Sequence, residues 1–222
     1  MKKAMILFTR TPSQKQGKTR LRPFLTGEQC AALQTAFLQD IAMEMRQVPA
    51  ARFVAWEGDD SQALRLLFPE AVLFQQSGQG LGERMHRAIT LVLSLGFDAC
   101  ILFGSDLPLL EAGHLNSAFL ALEHADVTLG PSPDGGYYLV GMKRPCAAIF
   151  RNQKYGCSSV YEETRQAIRA EGCSFTPAAS CPDADAPEDL TAAWKMLRGR
   201  DTCTSRCLRA ILKTEKLCNE ED

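Results

Sequence analysis

Short apolar runs and longer stretches of helical periodicity take turns along this chain. Lys3 to Thr9, Arg52 to Trp56, Ala71 to Gln75 and Ala99 to Phe103 read as strands. Between them, Thr26 opens a helix to about Gln47, with Thr26 as N-cap and Gln29 at the capping-box position. Asp59 or Asp60 can cap a helix that ends near Pro69, and Leu81 to Leu95 is helical behind a glycine-containing loop, Gln76 to Gly80. Glu111 to His124 is helical, and Asp126 to Gly130 is a short strand. Tyr137 to Met142 is a strand of aromatic and β-branched type. Ser158 or Ser159 caps a helix to about Gly172, and Asp185 caps another with Pro187 in its first turn. The last twenty residues, basic and then acidic, read as a terminal helix with a frayed end.

Strand and helix alternate from the start, which predicts an α/β fold with a mostly parallel sheet covered on both faces. With no repeat and no composition break, residues 1–222 are expected to form one domain, with 199–222 as a C-terminal tail or helix. The run Ala99-Cys100-Ile101-Leu102-Phe103 has the uncharged character of a central parallel strand. It passes through Gly104 and Ser105 to a lone carboxylate, Asp106. That places Asp106 at the C-terminal edge of the sheet, where open α/β sheets bind ligands.

Composition narrows the function classes. Hydrophobic residues make up 45% of the chain, charged residues 23%, and the formal net charge is −1. This is an ordinary globular composition with no electrostatic footprint for nucleic acid or an anionic membrane. The apolar start, Ala4 to Phe8, is too short for a signal peptide and is interrupted by Arg10. No apolar stretch approaches the roughly 20 residues of a membrane helix. A cytoplasmic protein is expected. The nine cysteines form no Cys-x-x-Cys pair and read as small buried hydrophobes in a reducing compartment, or as a metal or redox cluster in the tail.

Four segments carry the candidate chemistry. The loop after the first strand holds Arg10, Lys15, Gly17, Lys18, Thr19, Arg20 and Arg22. It is not a Walker A loop, because Pro12 stands where that motif needs its first glycine. Arg10, Lys18 and Arg20 can still hold phosphate by side-chain charge, or form a solvated basic loop. Asp106 either coordinates a divalent cation or turns the chain. Asp183 and Asp185, two apart, point the same way if extended and can join Asp106 on Mg²⁺ or Mn²⁺, unless Asp185 serves only as an N-cap. Asp134, Gly135, Gly136 and Tyr137 form either a ligand-facing loop or a hairpin turn. Gly80, Leu81 and Gly82 open a helix and offer an anion or base contact. His86, His114 and His124 do not cluster, which argues against a histidine metal site or a catalytic triad.

In order, Lys18-Thr19-Arg20-Leu21, Leu81-Gly82-Glu83-Arg84, Gly104-Ser105-Asp106-Leu107-Pro108, Asp134-Gly135-Gly136-Tyr137-Tyr138-Leu139 and Asp183-Ala184-Asp185-Ala186-Pro187-Glu188-Asp189-Leu190 resemble a bacterial family of unknown function. Its members are glycosyltransferase-like proteins of the nucleotide-diphospho-sugar transferase superfamily. The resemblance spans roughly residues 3 to 197. It departs from the family pattern at Pro12-Ser13-Gln14-Lys15-Gln16-Gly17 and at Tyr155-Gly156-Cys157.

The resemblance implies a GT-A fold, a Rossmann-like three-layer α/β/α sandwich. It is also similar to phospholactate guanylyltransferases and molybdenum-cofactor nucleotidylyltransferases. It implies a transferase with Mg²⁺ or Mn²⁺ on Asp106, Asp183 and Asp185. Arg10, Lys18 and Arg20 would hold phosphates, and Gly80, Leu81 and Gly82 the nucleotide. Asp106 and Asp134 would be the catalytic residues, with Asp134, Gly135, Gly136 and Tyr137 facing the acceptor or sugar. The expected partners are a nucleotide-sugar or a nucleoside triphosphate and a small-molecule acceptor. Glycosyl transfer, nucleotidylyl transfer and a nucleotide-binding module without turnover are the three readings.

Overall fold

Strand β1 (Lys3–Arg10) lies inside a six-stranded sheet in the computed structural model, which describes residues 1–13, 18–151 and 153–215. After β1 the chain forms α1 (Gly27–Arg46), β2 (Ala51–Glu57), α2 (Gln62–Leu67), β3 (Val72–Gln75), α3 (Leu81–Ser94) and β4 (Ala99–Phe103). Next come α4 (Ala112–His124), β5 (Val127–Pro131), β6 (Tyr137–Met142), a 3₁₀ turn (Ala147–Phe150), α5 (Val160–Ala170), α6 (Pro187–Leu197) and α7 (Cys203–Glu215). The strand order is β3-β2-β1-β4-β6-β5. β1, β2, β3 and β4 pair in parallel, and β6 enters antiparallel between β4 and β5.

The period-two alternation of strands divides the core into two faces. Met5, Leu7, Ile101 and Phe103 pack against α1, α2 and α4. Ala4, Ile6, Cys100 and Leu102 pack on the other side, against α3, α5 and the 3₁₀ turn. All five residues of β4 are buried, as its uniform apolarity predicted. A third cluster joins the far side of α1 to α6 and α7 through Phe37, Leu190, Leu197 and Leu208. The result is the expected three-layer α/β/α sandwich with a mostly parallel sheet. Among the described residues, no helix is long and apolar enough to cross a membrane.

Local chemistry explains most of the boundaries. The capping box at α1 forms as read: Thr26 Oγ1 accepts from Gln29 N at 3.2 Å, and Gln29 Oε1 from Thr26 N at 2.7 Å. Asp40 on α1 caps α7, accepting from Cys203 N and Thr204 N at 2.8 Å each. Asp60 does not start α2; Ser61 is the N-cap, with Asp60 Oδ1 accepting from Gln62 N.

Two expectations change, and one open alternative is decided. Asp185 is not the N-cap of α6; Ala186 is, and Asp189 Oδ2 accepts from both Asp185 N and Ala186 N. The carboxylate one turn inside the helix does the capping, which leaves Asp185 free. Asp134, Gly135 and Gly136 form the turn of the β5–β6 hairpin, with Ser132 N donating to Gly136 O at 3.0 Å. The eight described cysteines are free, but only Cys30, Cys100 and Cys181 are buried; Cys173 is half-buried, and Cys157 is exposed.

Candidate functional site

The sheet runs outward from β1 in both directions, through β2 and β3 on one side and through β4 on the other. Between β1 and β4 the order reverses, and ligands bind at such reversal points, outside the carboxyl ends of the strands. A cavity of about 570 Å³ opens there. Its wall takes Arg10 from the end of β1, Glu57 from β2, Gln76 after β3, Gly104 and Asp106 after β4, and Tyr137 from β6.

Lys18 is held tightly in this wall. Its φ of +43° puts a non-glycine residue in the left-handed region. Its Nζ donates to Asp106 Oδ1 at 2.6 Å and to Ala184 O at 3.3 Å. The ammonium also lies 4.6 Å from the centre of the Phe37 ring. Only 4% of the lysine side chain is exposed, against 40% of Asp106. Lys18, expected to grip phosphate, is instead turned onto Asp106. The backbone reinforces that link: Ala184 N donates to Asp106 O at 2.8 Å, stitching the late Asp183–Asp185 segment to the end of β4.

Asp106, Asp183 and Asp185 therefore share one cavity wall. Burial raises the Asp185 carboxyl above its ordinary range; Asp106 adds to the rise, while Lys18 and Arg20 oppose it. Asp183 is pushed up to about 6, first by burial and then by the carboxylates of Asp134 and Asp185. Crowding of this kind favours an added cation. Among the described residues, no three His, Cys, Asp or Glu side chains are grouped to hold one metal ion. A closed three-carboxylate set is thus not present. The arrangement fits a Mg²⁺-type site, in which one or two carboxylates bind and phosphate oxygens and water complete the shell.

On the opposite wall, Glu57 accepts from Arg10 Nε at 3.0 Å and from Arg84 Nη1 at 2.5 Å. Burial alone would raise the Glu57 carboxyl, but the two guanidinium groups outweigh it and the net direction is down. Gln34 Nε2 donates to Arg10 O at 3.0 Å beside them. Glu57, Arg84, Gln34 and Gln76 were not singled out from the sequence. Glu57 and Gln76 stand at strand ends on the sheet edge that drew attention to Asp106, and Arg84 closes the Leu81-Gly82-Glu83-Arg84 motif.

Arg10, Lys18, Leu81, Asp106, Tyr137, Asp183 and Asp185 line the cavity. The other expected residues do not. Gly80 is the N-cap of α3, with open space around it. Gly82 is buried, and a Cβ there would lie 2.6 Å from Phe150 O. Gly135 has φ +87° and sits against the backbone of Ser158. Gly136 N donates to Asp134 Oδ1 at 2.8 Å, so this carboxylate braces the hairpin, although it is near enough to raise Asp183. Arg20 is exposed and acts on Asp185. Tyr137 reaches the cavity, but its hydroxyl is buried beside those of Tyr155 and Thr164. His86 lines a separate pocket of about 350 Å³ behind β3. Lys15 and Gly17 lie outside the described residues.

The family model described as uncharacterized protein conserved in bacteria (DUF2064) matches residues 41–157. No curated protein matches the sequence. Among solved structures, a Desulfovibrio desulfuricans G20 protein whose name proposes a nucleotide-diphospho-sugar transferase is 26% identical, with TM-score 0.87. The alignment covers 97% of this chain and 99% of that one. CMP:2-keto-3-deoxy-manno-octonic acid synthetase, solved with CTP, aligns at TM-score 0.55 and 14% identity over 90% of this chain and 100% of its own. A cytidylyltransferase from Leptospira borgpetersenii aligns at 0.54 and 14% over 100% and 99%. These last two share the fold with this chain.

Proposed function

The chain belongs to the DUF2064 family of uncharacterized bacterial proteins, and we propose that it is a metal-dependent transferase that uses a nucleotide donor bound in the cavity between β1 and β4. The observation that carries this reading is the joining of Asp106, Asp183 and Asp185 in one wall at the sheet's reversal point, tied together through Lys18 and Ala184. The Desulfovibrio protein, similar over almost the whole chain, favours a nucleotide-sugar as the donor.

Asp106, with Asp183 or Asp185, would hold Mg²⁺ or Mn²⁺. Bound there, the ion would neutralise charge on the phosphate oxygens as the leaving group departs. Lys18 keeps Asp106 oriented through Oδ1 and leaves Oδ2 uncommitted to it. Arg10 and Arg84 sit on the other wall, held together by Glu57. Tyr137 narrows the β6 side, where an acceptor would enter.

Nucleotidylyl transfer from a nucleoside triphosphate is the second reading. It is favoured by the number of cations in or beside the cavity: Arg10, Lys18, Arg20 and Arg84. Incubation with nucleotide-sugars and nucleoside triphosphates, with Mg²⁺ or Mn²⁺ and a panel of small acceptors, separates the readings. Release of a nucleoside diphosphate marks glycosyl transfer, and release of pyrophosphate marks nucleotidylyl transfer. A melting-temperature shift without product identifies a binding module. No binding of any nucleotide with metal overturns the proposal.

A further inference from the structure

The cavity has two chemically different sides. The carboxylates Asp106, Asp183 and Asp185 gather beyond β4. On the β3 side stand Thr9, Gln76, Gln79, Leu81 and Met85, which are uncharged, and the one carboxylate there, Glu57, is already held by two arginines. A nucleotide has the same polarity, with phosphates at one end and a flat neutral base at the other. Phosphates drawn to the carboxylate-bound cation leave the base to the β3 side.

Gln76 is fixed there by three hydrogen bonds. Its backbone N donates to Trp56 O at 2.8 Å. Its Nε2 donates to Thr9 O and to Ala55 O, each at 3.0 Å. Both amide hydrogens are spent on main-chain carbonyls at the ends of β1 and β2, and turning the amide over would set Oε1 against those oxygens. Gln76 Oε1 is therefore an acceptor that cannot become a donor. It has no protein partner among the described residues.

We propose that Gln76 reads the base, and that the cavity selects a nucleotide whose base carries an exocyclic amino group. The proposal rests on the nucleotide reading above. An amino group donates to Oε1; a ring carbonyl in its place sets acceptor against acceptor and leaves both unpaired. An unpaired group of this kind weakens binding by about tenfold or more.

Two matched nucleotide pairs exchange the exocyclic amino group for a carbonyl, CTP against UTP and ATP against inosine triphosphate, and a third, GTP against inosine triphosphate, replaces it by hydrogen. Each is titrated calorimetrically into the full chain with Mg²⁺. The expected result is a preference of about tenfold or more for the amino-bearing member of at least one pair. Gln76→Met, with its folding verified by thermal unfolding, is expected to reduce that preference to within about threefold. Binding without preference in any pair overturns the inference and leaves the nucleotide reading standing, as does a Gln76→Met variant that keeps the preference. If that variant does not fold, the wild-type ratios decide alone. Absence of binding by all five nucleotides overturns the nucleotide reading itself.

Discussion

Lys18 Nζ lies 2.6 Å from Asp106 Oδ1, and the lysine that makes this contact is 96% buried while its partner is 40% exposed, as the exposure of 4% for Lys18 shows. The pair is thus asymmetric. Removing the carboxylate strands a buried ammonium, whereas removing the ammonium leaves a carboxylate that water can reach. Breaking a fully buried pair costs about 3–5 kcal/mol. Lys18→Met keeps the apolar stem against Phe37 and is expected to cost less, about 1–2 kcal/mol, because Asp106 can rehydrate. Urea denaturation measures it. An unchanged midpoint would show that the pair contributes nothing to the fold.

Asp106→Asn tests the other partner. The amide is close to the carboxylate in shape but lacks its charge for a divalent cation. Metal-dependent nucleotide affinity is expected to fall more than about tenfold, since even groups that only support metal ligands are worth that much. Calorimetry with GTP or a nucleotide-sugar and Mn²⁺ reads the change. Affinity equal to wild type would remove Asp106 from the metal site.

Asp183 makes the metal-free protein pH-dependent. Its carboxyl is pushed up to about 6 in the fold from an ordinary 3.8, first by burial and then by Asp134 and Asp185. The folded state therefore holds this proton more tightly than the unfolded chain. Stability falls as pH rises from about 4 to about 6, and above that window the cost is fully present. Asp183→Asn removes the cost. After allowance for the partial exposure of the group, it is expected to be about 1 kcal/mol more stable than wild type at pH 7.5, with the gap closing near pH 4. Denaturation with a chelator present measures this. A variant less stable than wild type at pH 7.5 would show that Asp183 is already compensated.

Some of this could be read directly from residue order. The five apolar residues of β4 are buried on both faces, and Thr26 and Gln29 cap α1 through adjacent-turn contacts. Both depend on local pattern alone. The position of β6 between β4 and β5 does not, because strand direction and neighbour choice are decided by packing across the sheet. At the site, carboxylates stood out because a lone acid after an apolar run is conspicuous. Gln76 has no such contrast; its role follows from Thr9 O and Ala55 O, which come from two other strands. The Asp134-Gly135-Gly136 segment is the opposite case. Its glycines suit either a ligand or a turn, and the contact that decides between them, with Ser158, comes from a segment more than twenty residues away.

Gly135 and Gly80 separate these two uses of glycine. A Cβ on Gly135 would lie 2.0 Å from Ser158 O, and its φ of +87° is one that other residues rarely adopt. The clash costs about 1–3 kcal/mol and the backbone about 1–2 more. Gly135→Ala is therefore expected to lower the melting temperature by roughly 4–20 °C. Gly80 has nothing within 4 Å of the same added atom. Gly80→Ala loses only a modest N-cap preference and is expected to shift the melting temperature by less than about 4 °C. Gly80→Ala thus provides a folded protein in which nucleotide titration tests the mouth of α3 directly. Equal thermal shifts in the two variants would show that the Ser158 contact does not constrain the hairpin.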